Sequence, residues 1–569
     1  MTCRAKLARL NRTPLHGSHD FDTYHLYSQE RVALFKTSDN SSLHYRNGMK
    51  DLGDFHSNPS LTGLLPHLDE ADTLINQLCN TSPPPVFEHD QEPSRPVQQS
   101  RPEPPCHFQS TYYYHRHDTE FQAPPCTPSP RPRRRPLRDH LRILLADLIS
   151  LVVSTTLVAI LVALSFAQDA PSYPFRYFVR LLHLPILQDP ADDPSDPNEA
   201  ITREEGCYAH RWGYHWEEHH IVTEDGFILK MYRVGRVASS TPMLPPILIV
   251  HGLFQCSGAF VCNERESLAF WLADRGYDVW LGNNRGVDAY TDRGHLDLHP
   301  RDPEYWDWGL RELGEKDWPA MVDAVRTWTG REKIAFVGHS QGNAQGFIGL
   351  SLSPNMAKKL SCFVALAPAV FSGGLEKTFP FKQIANFERS RFEFIFATSA
   401  FMPLMHPTQY FFPPVIFSIL AYQMFAYLFS WHDTYWLRRR KIKYFQFTPR
   451  STSARLLRDW MDGWGRKGVC AFVNGEGVEA DGIDGDERKK VPFGVFYGTE
   501  DHLVDAGRLV KLFESNGQKE VCRPAFVDCL DLIKVVSVEG YEHMDVVWAR
   551  DSNETVFGGV EQILKGAAW

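Results

Sequence analysis

Between Lys333 and Leu350 the chain reads K-I-A-F-V, then G-H-S-Q-G, then N-A-Q-G-F-I-G-L. A short apolar run is followed by a glycine-bracketed serine and a stretch that continues as a helix. Few folds admit that order. Gly338 and Gly342 let the chain turn sharply and lift the Ser340 hydroxyl clear of a sheet. The helix behind it points free N–H groups at any negative oxygen that forms there. Alone the pentapeptide is weak, with a chance match in roughly one chain in five of this length. Its place between strand and helix makes it strong.

The same alternation fills the chain from about residue 200 onward. Residues 221–229, 247–250, 279–281, 334–337, 363–366, 495–497 and 535–538 read as strands, with helical patterns at 267–275 and 318–328. Strands alternating with helices predict an α/β class with a mostly parallel sheet covered on both faces. The 221–229 run alternates and carries Glu224-Asp225-Gly226, which favours an antiparallel hairpin at the sheet's edge.

A nucleophilic serine needs a base, and the base needs an orienting acid, in the chain order Ser, Asp, His for this arrangement. Asp501 follows the 495–497 strand, with Glu500 and Asp505 close enough to serve instead. Of the 24 histidines only His502 and His543 follow Asp501, and His502 adjoins the acid too closely to bridge it to the serine. His543, just beyond the 535–538 strand, takes the role. Two N–H donors must hold the oxyanion. The residue after the nucleophile, Gln341, supplies one, and Leu253 in His251-Gly252-Leu253, after the 247–250 strand, supplies the other.

Residues 148–167 carry no charge and reach about 30 Å as a helix, the thickness of a hydrocarbon core. Arg131, Arg133, Arg134, Arg135, Arg138 and Arg142 crowd the N-terminal side, while the next basic residue afterwards is Arg176. A buried core helix would not need such flanks. The asymmetry predicts a signal anchor over 141–168, a cytoplasmic tail and a lumenal or extracytoplasmic catalytic part. The tail, 1–140, is rich in Ser, Pro, His and Arg and is expected to be disordered. Residues 169–200 form a linker and 201–569 the catalytic domain. Asn553-Glu554-Thr555 is then a glycosylation sequon on the lumenal side. Residues 411–431 are also uncharged, but Pro413-Pro414 interrupts them and crossing there would part Ser340 from His543. They are expected to form part of a cap.

Composition adds exclusions. The net charge of −9 gives no reason to expect nucleic acid, and 11 cysteines in 569 residues, none at C-x-x-C spacing, form neither a disulfide scaffold nor the commonest zinc sites. His215-Trp216-Glu217-Glu218-His219 fits the zinc-protease pattern H-x-x-E-H, but that chemistry needs a helix and the segment reads as strand.

Several strings resemble one family: Glu217-Glu218-His219, Asp225-Gly226-Phe227-Ile228-Leu229, His251-Gly252-Leu253, Ser267-Leu268-Ala269-Phe270, and the run from Ala273 to Gly286, A-D-R-G-Y-D-V-W-L-G-N-N-R-G. They look like the acid lipases, the α/β-hydrolases that include gastric and lysosomal acid lipases and fungal steryl ester hydrolases. The similarity covers roughly residues 200–560, and the Ala273–Gly286 string is very specific. Y-L-F-S-W-H-D at 427–433, F-Q-F at 445–447 and the N-terminal anchor look closer to the fungal enzymes. The resemblance implies an α/β-hydrolase fold with a helical cap inserted at about 375–490. It also implies Ser340, Asp501 and His543 as triad, with Leu253 and Gln341 as oxyanion donors. The substrate would be a lipid ester, a steryl ester or acylglycerol, met at a membrane or lipid-droplet surface, with no cofactor and no metal. The membrane would be the endoplasmic reticulum, the plasma membrane or a lipid droplet. The tail and the polar 474–490 stretch do not match the family. A serine hydrolase or acyltransferase of another substrate class, and a non-catalytic scaffold, are the rival readings.

Overall fold

The computed structural model describes residues 131–133, 135–169, 201–236, 244–290, 293–396, 400–401, 405–463, 468–469, 490–514 and 524–569, together with short strands at Tyr114–Arg116 and Thr119–Glu120. The expectations for 1–113, for the 169–200 linker beyond Asp169 and for the polar 474–490 loop lie almost wholly outside those residues.

Its strands are β1 (Tyr114–Arg116), β2 (Thr119–Glu120), β3 (Tyr214–Val222), β4 (Ile228–Arg236), β5 (Pro246–Val250), β6 (Asp278–Gly282), β7 (Ile334–His339), β8 (Leu360–Leu366), β9 (Val491–Gly498) and β10 (Leu530–Val538). They form one sheet in the order β10-β9-β8-β7-β5-β6-β4-β3-β1-β2. From β10 to β6 all neighbours run parallel, while β6–β4 and β4–β3 are antiparallel. β5 and β7 are buried along their whole length, as parallel strands covered on both faces must be. This is the α/β-hydrolase arrangement, with its crevice at the carboxyl ends of the strands.

Helix α1 (Leu137–Asp169) precedes the main sheet. Between strands come α2 (Leu268–Asp274), α3 (Trp318–Thr329) and α4 (Gln341–Leu352). The cap between β8 and β9 holds α5 (Arg389–Phe396), α6 (Pro414–Phe429), α7 (Arg438–Tyr444) and α8 (Ala454–Gly463), and α9 (Gly558–Gly566) lies near the C-terminus.

Three expectations change. Residues 221–229 are not one strand but the end of β3, a turn and the start of β4, with Thr223 N–H donating to the Phe227 carbonyl at 2.8 Å and Gly226 at φ +90°. The hairpin is there, centred where a strand was expected. Second, the tail is not without strands up to residue 140: β1 pairs parallel with β3, Tyr114 opposite His220. Third, α1 starts at Leu137, before the expected 141.

The run at 411–431 does not make a spanning helix. Pro413 separates Met405–Phe411 from α6, whose 16 residues reach about 24 Å, short of a bilayer core. α1, with 33 residues, is the one described helix long and apolar enough to cross. Its small residues Ser150, Ser154 and Ser165 are buried with Leu161, while Leu144, Leu148, Val152, Ile160 and Leu164 face outward. The Ser165 hydroxyl donates to Gln423 Oε1 on α6 at 2.6 Å. Ahead of the helix, the Arg133 N–H donates to Asp302 at 3.0 Å, and the Arg135 guanidinium pairs with Glu304. Residues just before α1 thus touch the segment at Asp302–Glu304.

The specific 273–286 string has a structural reason. Arg285 Nε donates to Asp317 Oδ1 at 2.8 Å and its Nη1 to Asp225 Oδ2 at 2.7 Å, tying the β3–β4 turn to the exit of β6. A side chain at Gly286 would strike Trp308 at 2.8 Å. These residues shape the sheet's rim rather than the chemistry.

Candidate active site

Ser340 stands at the end of β7 with φ +53° and ψ −117°, a conformation that costs free energy in a non-glycine residue. Both bracketing glycines are required there. A Cβ on Gly338 would lie 2.4 Å from Asn343 Oδ1, and one on Gly342 would lie 2.3 Å from the Val250 carbonyl oxygen. The Ser340 N–H donates to the Leu366 carbonyl at 3.0 Å, and the Ala369 N–H donates to the Ser340 carbonyl at 3.2 Å. The turn is pinned from both sides.

His543, after β10, places Nε2 2.8 Å from Ser340 Oγ and Nδ1 2.8 Å from Asp501 Oδ2. Both distances fall within reach of proton transfer. Asp501 follows β9, and its other oxygen accepts the N–H groups of Leu503 at 2.9 Å and Val504 at 3.1 Å. These two backbone bonds on Oδ1 hold the carboxylate with Oδ2 toward the imidazole. Of the alternatives, Asp505 Oδ1 accepts the Arg508 N–H, and Glu500 is mostly exposed beside His502. Only Asp501 faces His543.

The Gly252–Leu253 loop packs directly on the serine, since a Cβ on Gly252 would lie 2.9 Å from Ser340 Cβ. Leu253 lines the cavity beside Ser340, and Gln341 opens α4 immediately behind it. His251 holds this loop as a neutral ring. Its Nδ1 bonds the Gly252 carbonyl at 2.8 Å, so Nδ1 carries the proton, and Nε2 accepts the Asn284 N–H at 3.2 Å. Burial pushes its pKa down to about 4.

Sequence reasoning missed several supporting groups. Gln255 Oε1 accepts the Gly252 N–H at 3.0 Å and lies 3.1 Å from His339 Nδ1. Trp460 Nε1 of α8 donates to Gln341 Oε1 at 2.8 Å. Burial, then the neighbouring His543 ring, hold His339 well below the ordinary histidine range. Gln255, three residues after Gly252, had a faint local signal. Trp460 is 119 residues from its partner and had none.

The cavity over Ser340 is walled mostly by apolar side chains, among them Phe254, Phe381, Phe425, Phe429 and Trp431. The H-x-x-E-H segment lies on β3, where His215 and His219 stand about 13 Å apart along the strand and cannot share one ion. His219 instead packs its ring between Trp280 and Trp328.

Residues 206–264 match the family described as a partial alpha/beta-hydrolase lipase region, and residues 245–400 match the alpha/beta hydrolase fold. Sterol esterase 2 of Saccharomyces cerevisiae is 31% identical over 390 residues, covering 60% of this chain and 68% of the yeast protein. Gastric triacylglycerol lipase of Mus musculus is 30% identical over 370 residues, covering 62% of this chain and 89% of the mouse protein. Lipase member K of Mus musculus is 29% identical over 62% of this chain and 89% of its own length. With these matches, the chain belongs to the acid lipase family of α/β-hydrolases.

Proposed function

We propose that this protein is a membrane-attached lipid ester hydrolase that works through an acyl-enzyme on Ser340. The observation that carries the reading is the single imidazole, His543, placed 2.8 Å from Ser340 Oγ and 2.8 Å from Asp501. His543 Nε2 takes the hydroxyl proton as Oγ attacks the ester carbonyl. Asp501 keeps the proton on Nδ1 and stabilises the imidazolium. The Leu253 and Gln341 N–H groups hold the oxyanion, each worth about 3 kcal/mol where such donors have been removed. His543 then hands its proton to the departing alcohol. Water, deprotonated by the same ring, frees the acid and restores Ser340.

The substrate reading rests on the apolar cavity and on the named relatives, a sterol esterase and triacylglycerol lipases. Turnover of steryl oleate, trioleoylglycerol and short p-nitrophenyl esters by the purified chain tests it. Hydrolysis of at least one long-chain lipid ester is expected. Activity on short esters alone would move the protein to another substrate class.

Attachment rests on α1. The arginine-rich flank supports a crossing with the N-terminus cytoplasmic and 201–569 on the far side. The contacts of Arg133 and Arg135 with Asp302 and Glu304 support a second arrangement, with α1 lying along the cap and its outer leucines in the lipid. Cysteines placed at residues 20 and 569 and challenged with an impermeant reagent on intact vesicles separate the two. Labelling from opposite faces supports the crossing, and labelling from one face supports the in-plane helix. Asn553 is a poor reporter, because its side-chain oxygen is buried within a helical turn.

A further inference from the structure

A second chamber lies beside the Ser340 cavity and is lined by apolar side chains alone. Phe254, Phe381, Phe425, Phe429 and Leu457 wall both chambers, so one layer of side chains parts them. That layer is held by ring contacts, with Phe425–Phe429 centroids 5.4 Å apart and Phe381–Phe429 6.2 Å apart. On the far side of the second chamber stand Leu157 and Leu161, both from α1. Leu161 is only 2% exposed, whereas its neighbours Ile160 and Leu164 face outward.

A helix that served only as an anchor would need no concave partner for two of its leucines. This one is seated by the buried Ser165–Gln423 hydrogen bond onto α6, the same helix that supplies Phe425 and Phe429 to the layer. Anchor, layer and reacting serine thus form one continuous apolar path.

We infer that α1 is a wall of the substrate site, and that the chamber between Leu157, Leu161 and the phenylalanine layer takes the distal half of a long acyl chain. The inference rests on Ser340 being the nucleophile that holds the carbonyl end. Phe425 and Phe429 swing aside as the chain passes, and the hydrocarbon then lies against the helix that meets the membrane. An ester moving out of a bilayer so exchanges one apolar surrounding for another without crossing water.

Two measurements on the full chain test this. A hexadecyl fluorophosphonate bearing a diazirine at the far end of its chain is bound to the wild-type protein, irradiated and mapped by peptide mass spectrometry. The expected crosslink falls on the peptide holding Leu157 and Leu161. Crosslinks confined to other peptides would overturn the inference. Failure to form any adduct on Ser340 would remove the reading of the site beneath it, a distinguishable result. Second, Leu161→Trp fills the chamber and should lower the kcat/KM ratio of p-nitrophenyl palmitate to p-nitrophenyl butyrate tenfold or more. A ratio equal to wild type would contradict the assignment. Should the tryptophan variant not fold, the crosslink on the native chain still decides.

Discussion

The carboxyl edge of the sheet and the cap above it are built on different physics. At the edge, Ser340, Asp501 and His543 each follow directly on a strand, and backbone hydrogen bonds fix the serine turn and the Asp501 carboxylate. The cap is held to the body by side-chain charge and ring packing, with backbone bonds such as Arg450 N–H to the Phe254 carbonyl at 2.7 Å beside them. Glu264, at φ +55° and buried, accepts from Arg439 Nη2 at 2.9 Å, Arg440 Nε at 2.8 Å and Lys443 Nζ at 2.9 Å, all on α7. Burial opposes its charge, but the three cations prevail and hold its pKa down to about 2. Tyr444 stacks on Trp548 at 4.5 Å beneath the same cluster. The serine turn and the Asp501 carboxylate are fixed mostly by the backbone, and the cavity wall by side chains.

Changes at the edge should therefore abolish turnover with little loss of fold, and changes at the cap should do the reverse. The largest effect is expected for His543→Ala. It removes the bridge between Ser340 and Asp501, and kcat on any ester should fall by about 10⁴–10⁶ because such groups act as a unit. Stopped-assay kinetics on a short ester, with thermal denaturation beside it, would show whether the fold survives. A loss of less than tenfold would break the comparison at its first term.

Glu264→Gln comes next. It leaves Arg439, Arg440 and Lys443 around a neutral group, and Arg440 is only 3% exposed. Breaking a buried ion pair from one side costs about 3–5 kcal/mol. A fall in Tm of several degrees is expected, with long-chain ester turnover reduced more than short-chain turnover. Equal losses on both would mean that the cluster supports the sheet's edge and not the cap alone.

A smaller effect sharpens the edge itself. The ordinary histidine pKa is 6.5, and His251 is held at about 4 by burial. The folded state binds fewer protons than the unfolded chain between these values. The neutral ring thus contributes stability that is present above pH 6.5 and lost as pH falls toward 4. Protonation also puts a donor on Nε2 against the Asn284 N–H and loosens the loop that carries Leu253. Tm measured from pH 7 to pH 4 should fall in the wild type and fall less steeply in His251→Gln. Parallel curves would show that other groups set the acid limb.

Much of the edge was legible in the sequence, because its signals are local. A strand, a glycine-bracketed serine and a helix occur in consecutive residues, and Asp501 and His543 each sit a few positions past an apolar run. The specific strings around Asp225 and Arg285 could be recognised, although only the structure gives their reason, an ion network around a turn. The turn at Thr223–Phe227 is marked by Glu224-Asp225-Gly226, but the two strands beside it run together as 221–229 because alternation continues into it. β1 carries too few residues for any period and is formed on the open edge of β3. The cap's partners could not be read at all. Arg440 meets Glu264 across 176 positions and Trp460 meets Gln341 across 119, contacts that exist only once the chain has folded. Within the basic run Arg438-Arg439-Arg440-Lys441, Arg439 and Arg440 clamp Glu264.

The central claim is that Ser340 becomes acylated with His543 as its base. The most direct test is peptide mass spectrometry of the full chain after brief exposure to a slow-turnover ester, alongside Ser340→Ala and His543→Ala. An acyl adduct is expected on the peptide holding Ser340, absent in the first variant and strongly slowed in the second. An adduct of wild-type rate on another residue, or one that persists in Ser340→Ala, would contradict it.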